Sequence, residues 1–221
     1  MKRGLPYLQS PEKRALDVSG SLFLGALSLP VCVASGAVLG AELDLNVRDL
    51  LLRQERHGVE GIFRSIKLRT LPLSDQPIVT YGTFDHRAGP VGKYIRQLGL
   101  DEIPQFANVL AGDMSLVGPR PLIESDFEKY EGIDPALFGE WRAMYDEVKP
   151  GMFGPSQILK HGQRVMTDQV RQRVMELDLE YAERAGLVKD VGIILNTPAD
   201  LVVASLRAFR QPMMPMGEEV A

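Results

Sequence analysis

The sequence predicts an α+β fold: a compact, mostly helical domain with a small β element, behind an N-terminal apolar helix kinked at Pro30. Three observations carry that prediction. An uncharged apolar run fills residues 18–41, one stretch alternates as a strand does, and several later segments place apolar residues at helical spacing. With 221 residues, 45% of them hydrophobic, the chain is long enough for one domain with a core and a small appendage.

The apolar run is bounded by Asp17 and Glu42 and preceded by Lys13 and Arg14. As one straight helix it would be roughly 36 Å long, enough to cross a hydrocarbon core. A secretory signal, a transmembrane helix, a re-entrant helix and the core helix of a soluble protein all remain open for it. Pro30 removes a helix hydrogen bond in mid-run and favours a kink. Lys2, Arg3, Lys13 and Arg14 would keep the N-terminus on the cytoplasmic side. A full crossing would then carry everything after residue 42 away from nucleotides, so a nucleotide-dependent function would select the re-entrant form.

Residues 43–57 are charged and mixed. Gly58 and Gly61 bracket a turn, and Ile62 to Thr70 alternates as a strand. Three prolines and many polar residues make 71–90 a loop, and a short helix follows over 91–98. Asp101-Glu102-Ile103-Pro104 reads as a helix start. Ile103, Phe106, Ala107 and Leu110 continue at helical spacing, and Gly112 ends the segment. Residues 136–147 and 167–185 read as helices, Pro150-Gly151 as a turn, and 187–209 as apolar helix interrupted by Pro198. Trp141 and the Leu201–Phe209 stretch, with Arg207 and Arg210, are candidates for a membrane interface as well as for the core. The tail from Pro212 is expected to be disordered.

A net charge of −4 argues against a nucleic-acid binder that works by phosphate neutralisation. One cysteine, Cys32, excludes an intramolecular disulfide and fits a reducing compartment. His57, His86 and His161 lack metal-ligand spacing and read as surface or locally bonded histidines.

The chemistry points to Asp101 and Glu102. An acidic pair at a helix start lies in a positive backbone field, which favours ionisation. An ionised aspartate is a nucleophile, a magnesium ligand or simply a helix cap. The Gly118-Pro119-Arg120-Pro121 corner restricts Arg120, whose planar guanidinium suits bidentate phosphate binding. Lys67, Arg69 and Arg96 add further cations, and four cations beside an acidic pair favour a phosphate-handling site. A two-carboxylate glycosidase fits less well, because its carboxyls face each other across a sugar, roughly 5 Å or more apart.

Several blocks, in order, resemble the bacterial sugar transferases of the monotopic polyprenyl-phosphate phosphoglycosyl transferase family. Lys13-Arg14…Asp17 before an apolar run with Pro30 is similar to the family's membrane helix. Gln54, Arg56, Gly58, Gly61, Phe63 and Lys67–Thr70 resemble its second block, and Asp101 to Pro121 matches its longest signature nearly residue for residue. Val148-Lys149-Pro150-Gly151 and Asp178…Tyr181 match two shorter motifs, so the resemblance spans roughly residues 11–205.

The resemblance implies transfer of a sugar 1-phosphate from a UDP-sugar to polyprenyl (undecaprenyl) phosphate, initiating a cell-surface glycan. Asp101 would be the nucleophile and a ligand of Mg2+, with Glu102 assisting. Lys67, Arg69, Arg96, Arg120 and Asp178 would surround the phosphates, and Pro30 would mark the membrane kink. It implies residues 1–12 as an extension, 13–42 as a re-entrant helix, 43–211 as the catalytic domain and 212–221 as a tail. The domain would face the cytoplasm at the inner membrane, and a homo-oligomer is compatible with it. Two departures stand out. Leu29 precedes Pro30 where the family has serine, and the stretch from Met152 to Arg164 replaces a threonine by Phe153 and breaks a Gly-Arg pair. That region is associated with nucleotide-sugar recognition, which opens the choice of donor and leaves a non-catalytic membrane scaffold as the alternative.

Overall fold

A computed structural model describes residues 4–73, 88–157, 159 and 166–197. The expectations for the 71–90 loop beyond residue 73, His86, His161, Arg207, Arg210 and the tail fall wholly or mainly outside the described residues.

After a single turn, α1 (Leu5–Leu8), the chain enters α2 (Pro11–Leu43), which stays helical past Pro30 although that residue donates no backbone bond. Its start is well specified. The Ser10 side chain accepts from the Lys13 backbone N–H, and Pro11 occupies the first turn, where its missing N–H costs nothing. It ends at Asp44 in the left-handed region (φ 51°). One stripe, containing Lys13, Asp17, Ser21, Ser35, Gly36 and Leu39, is buried against the rest of the molecule. Between residues 22 and 34 no position is fully buried, and Leu22, Phe23, Leu27, Leu29, Val31 and Val33 are exposed. A soluble core helix would not show this, since burying such side chains supplies most of the drive for folding.

Strands β1 (Leu51–Gly58) and β2 (Gly61–Leu68) form an antiparallel hairpin with Gly58 opposite Gly61. The expected strand is β2. Its partner β1 lies in the charged, mixed segment, where Arg53 and Glu55 face solvent and mask the alternation. Helix α3 (Pro90–Gln97) follows, then a 3-10 segment Leu100–Gln105 running into α4 (Phe106–Ala111). The anticipated helix start at Asp101 is therefore a tighter 3-10 turn, in which the Pro104 ring avoids the clash with the Leu100 carbonyl that an α turn would impose. Gly112, at φ 99°, ends α4 as expected.

Strand β3 (Ser115–Val117) pairs in parallel with β4 (Gly151–Phe153). Pro150-Gly151, expected as a turn, instead leads straight into β4, a strand too short to show alternation. Helices α5 (Glu124–Glu131), α6 (Pro135–Met144) and α7 (Asp168–Arg184) pack Phe127, Tyr130, Trp141, Tyr145, Val174 and Met175 into one cluster. Trp141 is fully buried there, which removes it from the membrane interface where it was a candidate. A second cluster joins Phe106, Val109, Met114, Leu116, Val117, Met152 and Tyr181. Residues 187–197 form α8.

The crossing of β3 and β4 is tight. A Cβ on Gly118 would lie 2.9 Å from the Gly151 backbone nitrogen, and one on Gly151 would overlap the Gly118 backbone. Both neighbours are main chain and cannot rotate away. Gly151→Ala is therefore expected to destabilise the protein by about 2–3 kcal/mol, read as a fall in thermal midpoint. A midpoint within a degree of the parent's would show that the pair of strands has room to part.

Candidate active site

The site is assembled where β2, the 3-10 segment and the Gly118–Pro121 corner meet. Glu102 Oε1 accepts from Lys67 Nζ at 2.7 Å and from Arg120 at 2.9 Å, so one carboxylate oxygen holds two cations. Lys67 comes from β2, Glu102 from the 3-10 segment and Arg120 from the corner after β3.

Each element is fixed locally. Lys67 is registered by Asn108, whose Oδ1 accepts the Ile66 N–H at 2.9 Å and whose Nδ2 donates to the Arg64 carbonyl at 2.8 Å. Arg120 sits between two prolines, as expected. The Pro119 carbonyl accepts from Gly151 N–H at 2.8 Å, and the Arg120 carbonyl from the Tyr145 hydroxyl at 3.0 Å. The corner is thus held from both sides.

Asp101 is adjacent, and its carboxyl is pushed up from 3.8 to about 6. Burial is the largest cause, and the like charge of Glu102 adds to it; Lys67, Arg96 and Arg120 pull the other way. The backbone field at the helix start was expected to favour ionisation, but desolvation outweighs it. Lys67 is shifted down, first by burial and also by Arg120 and Arg56, while Glu102 and Asp101 raise it. A partly desolvated lysine and a partly desolvated aspartate near one another make a strong local field.

The structure thus brings Asp101, Glu102, Lys67, Arg96 and Arg120 into one electrostatic group. Arg69 is tied back along the chain, its Nε donating to the Asp49 carbonyl at 2.8 Å. Asp178 is fully buried and accepts from Trp141 Nε1 at 3.1 Å, inside the aromatic cluster. Pro30 lies in the exposed middle of α2.

Three contributors escaped the sequence-based reading. Asn108 and Glu42 act on backbone N–H groups far away in the chain, for which no motif exists. Arg56, buried and bonded to Gln54, was noted only as part of the resemblance, yet its charge reaches Lys67.

Among the described residues no cluster of three or more His, Cys, Asp or Glu side chains could hold a metal by itself. Magnesium commonly takes one or two carboxylates and completes its shell with substrate phosphates and water. The Asp101-Glu102 carboxylates fit that kind of site.

A sequence model described as bacterial sugar transferase matches residues 8–204. A UDP-glucose:undecaprenyl-phosphate glucose-1-phosphate transferase of Caulobacter vibrioides is 36% identical over 86% of this chain and 69% of its own length. An enzyme of the same name from Escherichia coli is 34% identical over 84% of this chain and 39% of its own. A galactosyl transferase, CpsE, of Streptococcus agalactiae is 32% identical over 84% of this chain and 41% of its own. The chain therefore spans about two fifths of the length of the latter two proteins.

Proposed function

The chain belongs to the bacterial sugar transferase family, and from that premise we propose that it transfers a sugar 1-phosphate from a UDP-sugar to undecaprenyl phosphate with Asp101 as the nucleophile. The observation that carries the reading is the shared Glu102 oxygen, which gathers Lys67 and Arg120 beside a partly desolvated aspartate.

In the proposed first step an Asp101 oxygen forms a bond to the sugar-bearing phosphorus. The bond from that phosphorus to the bridging oxygen breaks, and UMP departs with the electron pair. In the second step an oxygen of undecaprenyl phosphate attacks the same phosphorus and Asp101 leaves as carboxylate. Dividing one displacement into two is the gain from covalent catalysis. Lys67, Arg96 and Arg120 neutralise charge on the phosphoryl oxygens, where such transfers need most of their help. Glu102 is already engaged by two cations, which supports an orienting role for it. Asp101 would hold a magnesium ion, which when bound supplies charge neutralisation at the diphosphate. The relatives' names specify different sugars, and Phe153 stands where the family has threonine, so the donor is best found with a panel. The test is UMP release from UDP-sugars by the full chain in nanodiscs, with and without undecaprenyl phosphate. Release, with phosphosugar retained on the protein before acceptor is added, is expected. A protein that neither releases UMP nor binds UDP-sugars would leave the scaffold reading standing.

Two sets of contacts support a re-entrant α2 with the domain and N-terminus on one side. Lys13 and Asp17 near its start bond to Val117, Ser115, Leu116 and Asp190. Leu39 and Glu42 near its end pack on Leu68 and α3. Both ends rest on the same domain while the apolar middle stands exposed. An impermeant maleimide added to intact spheroplasts should label cysteines placed at Ser10 and Glu60 only after permeabilisation. Labelling of one of the two before it would contradict the arrangement.

The raised Asp101 pKa sets a pH dependence. Below about 6 the carboxyl is protonated and cannot attack; above, it is ionised. The acid limb of UMP release is expected at about pH 6 or below, as magnesium on the carboxylate favours its charged form, and Lys67→Met, by removing an attraction for that form, should move it upward. An acid limb that Lys67→Met leaves in place would contradict the role of Asp101 as the titrating group.

A further inference from the structure

Helix α3 carries Arg96 but lacks a cap of its own, because its N-cap residue is Gly89. The cap comes from the far end of the apolar helix. Glu42 Oε1 accepts the Val91 N–H at 2.9 Å and Oε2 the Gly92 N–H at 3.0 Å. A carboxylate on two N–H groups at a helix start gains both charge-assisted bonds and the helix field. Gly89 is what admits it, since a Cβ there would overlap the Glu42 carboxylate.

The apolar contacts around this latch reach the site. Leu39, Cys32 and Leu43 of α2 share one small cluster with Leu68, Val91, Ile95 and Leu100. Leu68, Ile95 and Leu100 are the sequence neighbours of Lys67, Arg96 and Asp101. The C-terminal part of α2 thus forms the bed on which three site residues lie.

We propose that Glu42 is a positioning residue: its carboxylate at the end of the membrane helix seats α3 and thereby sets the approach of Arg96 to Asp101. The inference rests on the transferase reading for its kinetic arm only. It makes the seating of α2 a condition for a competent site, because the same helix that meets the lipid caps the helix that carries a catalytic cation.

The test uses the full chain in nanodiscs, with the UDP-sugar the parent turns over fastest. Glu42→Ala is expected to lower kcat for UMP release roughly tenfold to a hundredfold while KM stays within about twofold. Amide exchange at Val91 and Gly92 should accelerate. Glu42→Gln, which keeps one acceptor oxygen, should fall between. Gly89→Ala, which displaces the intact carboxylate, should give the same loss as Glu42→Ala, and should add nothing in the Glu42→Ala background. If Glu42 acts through Arg96, Glu42→Ala should also leave the residual kcat of Arg96→Ala unchanged.

Faster exchange at Val91 and Gly92 with an unchanged kcat overturns the proposal. So does a Glu42→Ala loss that persists in full without Arg96, which is what a general loosening of the fold would give. Should Glu42→Ala fail to fold, Gly89→Ala tests the latch alone. A parent that releases no UMP defeats the transferase reading, and exchange at the two amides still decides whether the latch exists.

Discussion

Asp101→Asn is expected to abolish transfer while making the protein more stable. The amide cannot attack phosphorus, and losses of roughly 10⁴-fold or more are usual when a covalent nucleophile is removed. The gain in stability comes from the same burial. A carboxyl whose pKa rises from 3.8 to about 6 on folding binds protons more tightly folded than unfolded. Its charged form therefore works against the fold at neutral pH, and the penalty disappears as pH falls through about 6 towards 3.8. In full the shift corresponds to about 3 kcal/mol. Asp101 keeps some solvent contact, which reduces this to about 1–2 kcal/mol, or a thermal midpoint roughly 2–8 °C higher. The increase should be clear at pH 7.5 and shrink near pH 4.5. An unchanged rate of UMP release would remove Asp101 as nucleophile, and a lower midpoint at pH 7.5 would remove the desolvation argument.

The second large effect is structural. Lys13 Nζ lies 3.0 Å from Asp17 Oδ1, 2.8 Å from Asp190 Oδ2 and 3.3 Å from the Val117 carbonyl, with all three side chains almost wholly buried. The network continues outward. Tyr181 donates to Asp190 Oδ1 at 2.8 Å, Tyr7 donates to Asp190 Oδ2 at 3.0 Å, and Ser115 and the Leu116 N–H both donate to Asp17 Oδ1 at 2.9 Å. Burial, and after it the charge of Asp190, pushes the Tyr181 hydroxyl far above its ordinary range, so it remains a donor. Lys13→Met would leave two carboxylates buried without their cation. Breaking a buried ion group in this way costs about 3–5 kcal/mol. A thermal midpoint lowered by roughly 10 °C is expected in nanodiscs. Adding Asp190→Asn to Lys13→Met should return part of the loss, since it removes one of the stranded charges. A shift of under about 2 °C for Lys13→Met, with no recovery in the double variant, would mean that water reaches this network.

Local signals made much of this architecture readable. The helices expected over 136–147 and 167–185 are Pro135–Met144 and Asp168–Arg184, and the structure adds their N-caps, Asp134 and Thr167, whose side chains accept first-turn backbone bonds. β2 was legible because Ile62, Phe63, Ile66 and Leu68 follow a Gly-bracketed turn, and β1 was not because the charged Arg53 and Glu55 take exposed positions along it. The 3-10 form at Leu100–Gln105 depends on Pro104 and on packing against α2, and only the first of these is local. At the site, Lys67, Arg96 and Arg120 do gather near Asp101-Glu102, a convergence that the family resemblance suggested more strongly than spacing alone. Asp178 shows the opposite case, since an acidic residue in a helix gives no sign that Trp141 will be its partner. Glu42 bounded the apolar run and looked like its polar edge. Its bonds to Val91 and Gly92 exist only once the chain has doubled back.

The Lys13 network also sets an order of events during synthesis. The apolar helix leaves the ribosome about 150 residues ahead of Asp190, which completes the seat of Lys13. Val117 and Ser115 arrive at the midpoint of the chain. Until the chain reaches Asp190, the helix has its own Lys13–Asp17 pair but lacks that half of its seat. A ribosome-bound chain stopped before residue 190 would therefore carry a helix only half fastened, and its domain would remain open to proteases that the finished protein resists.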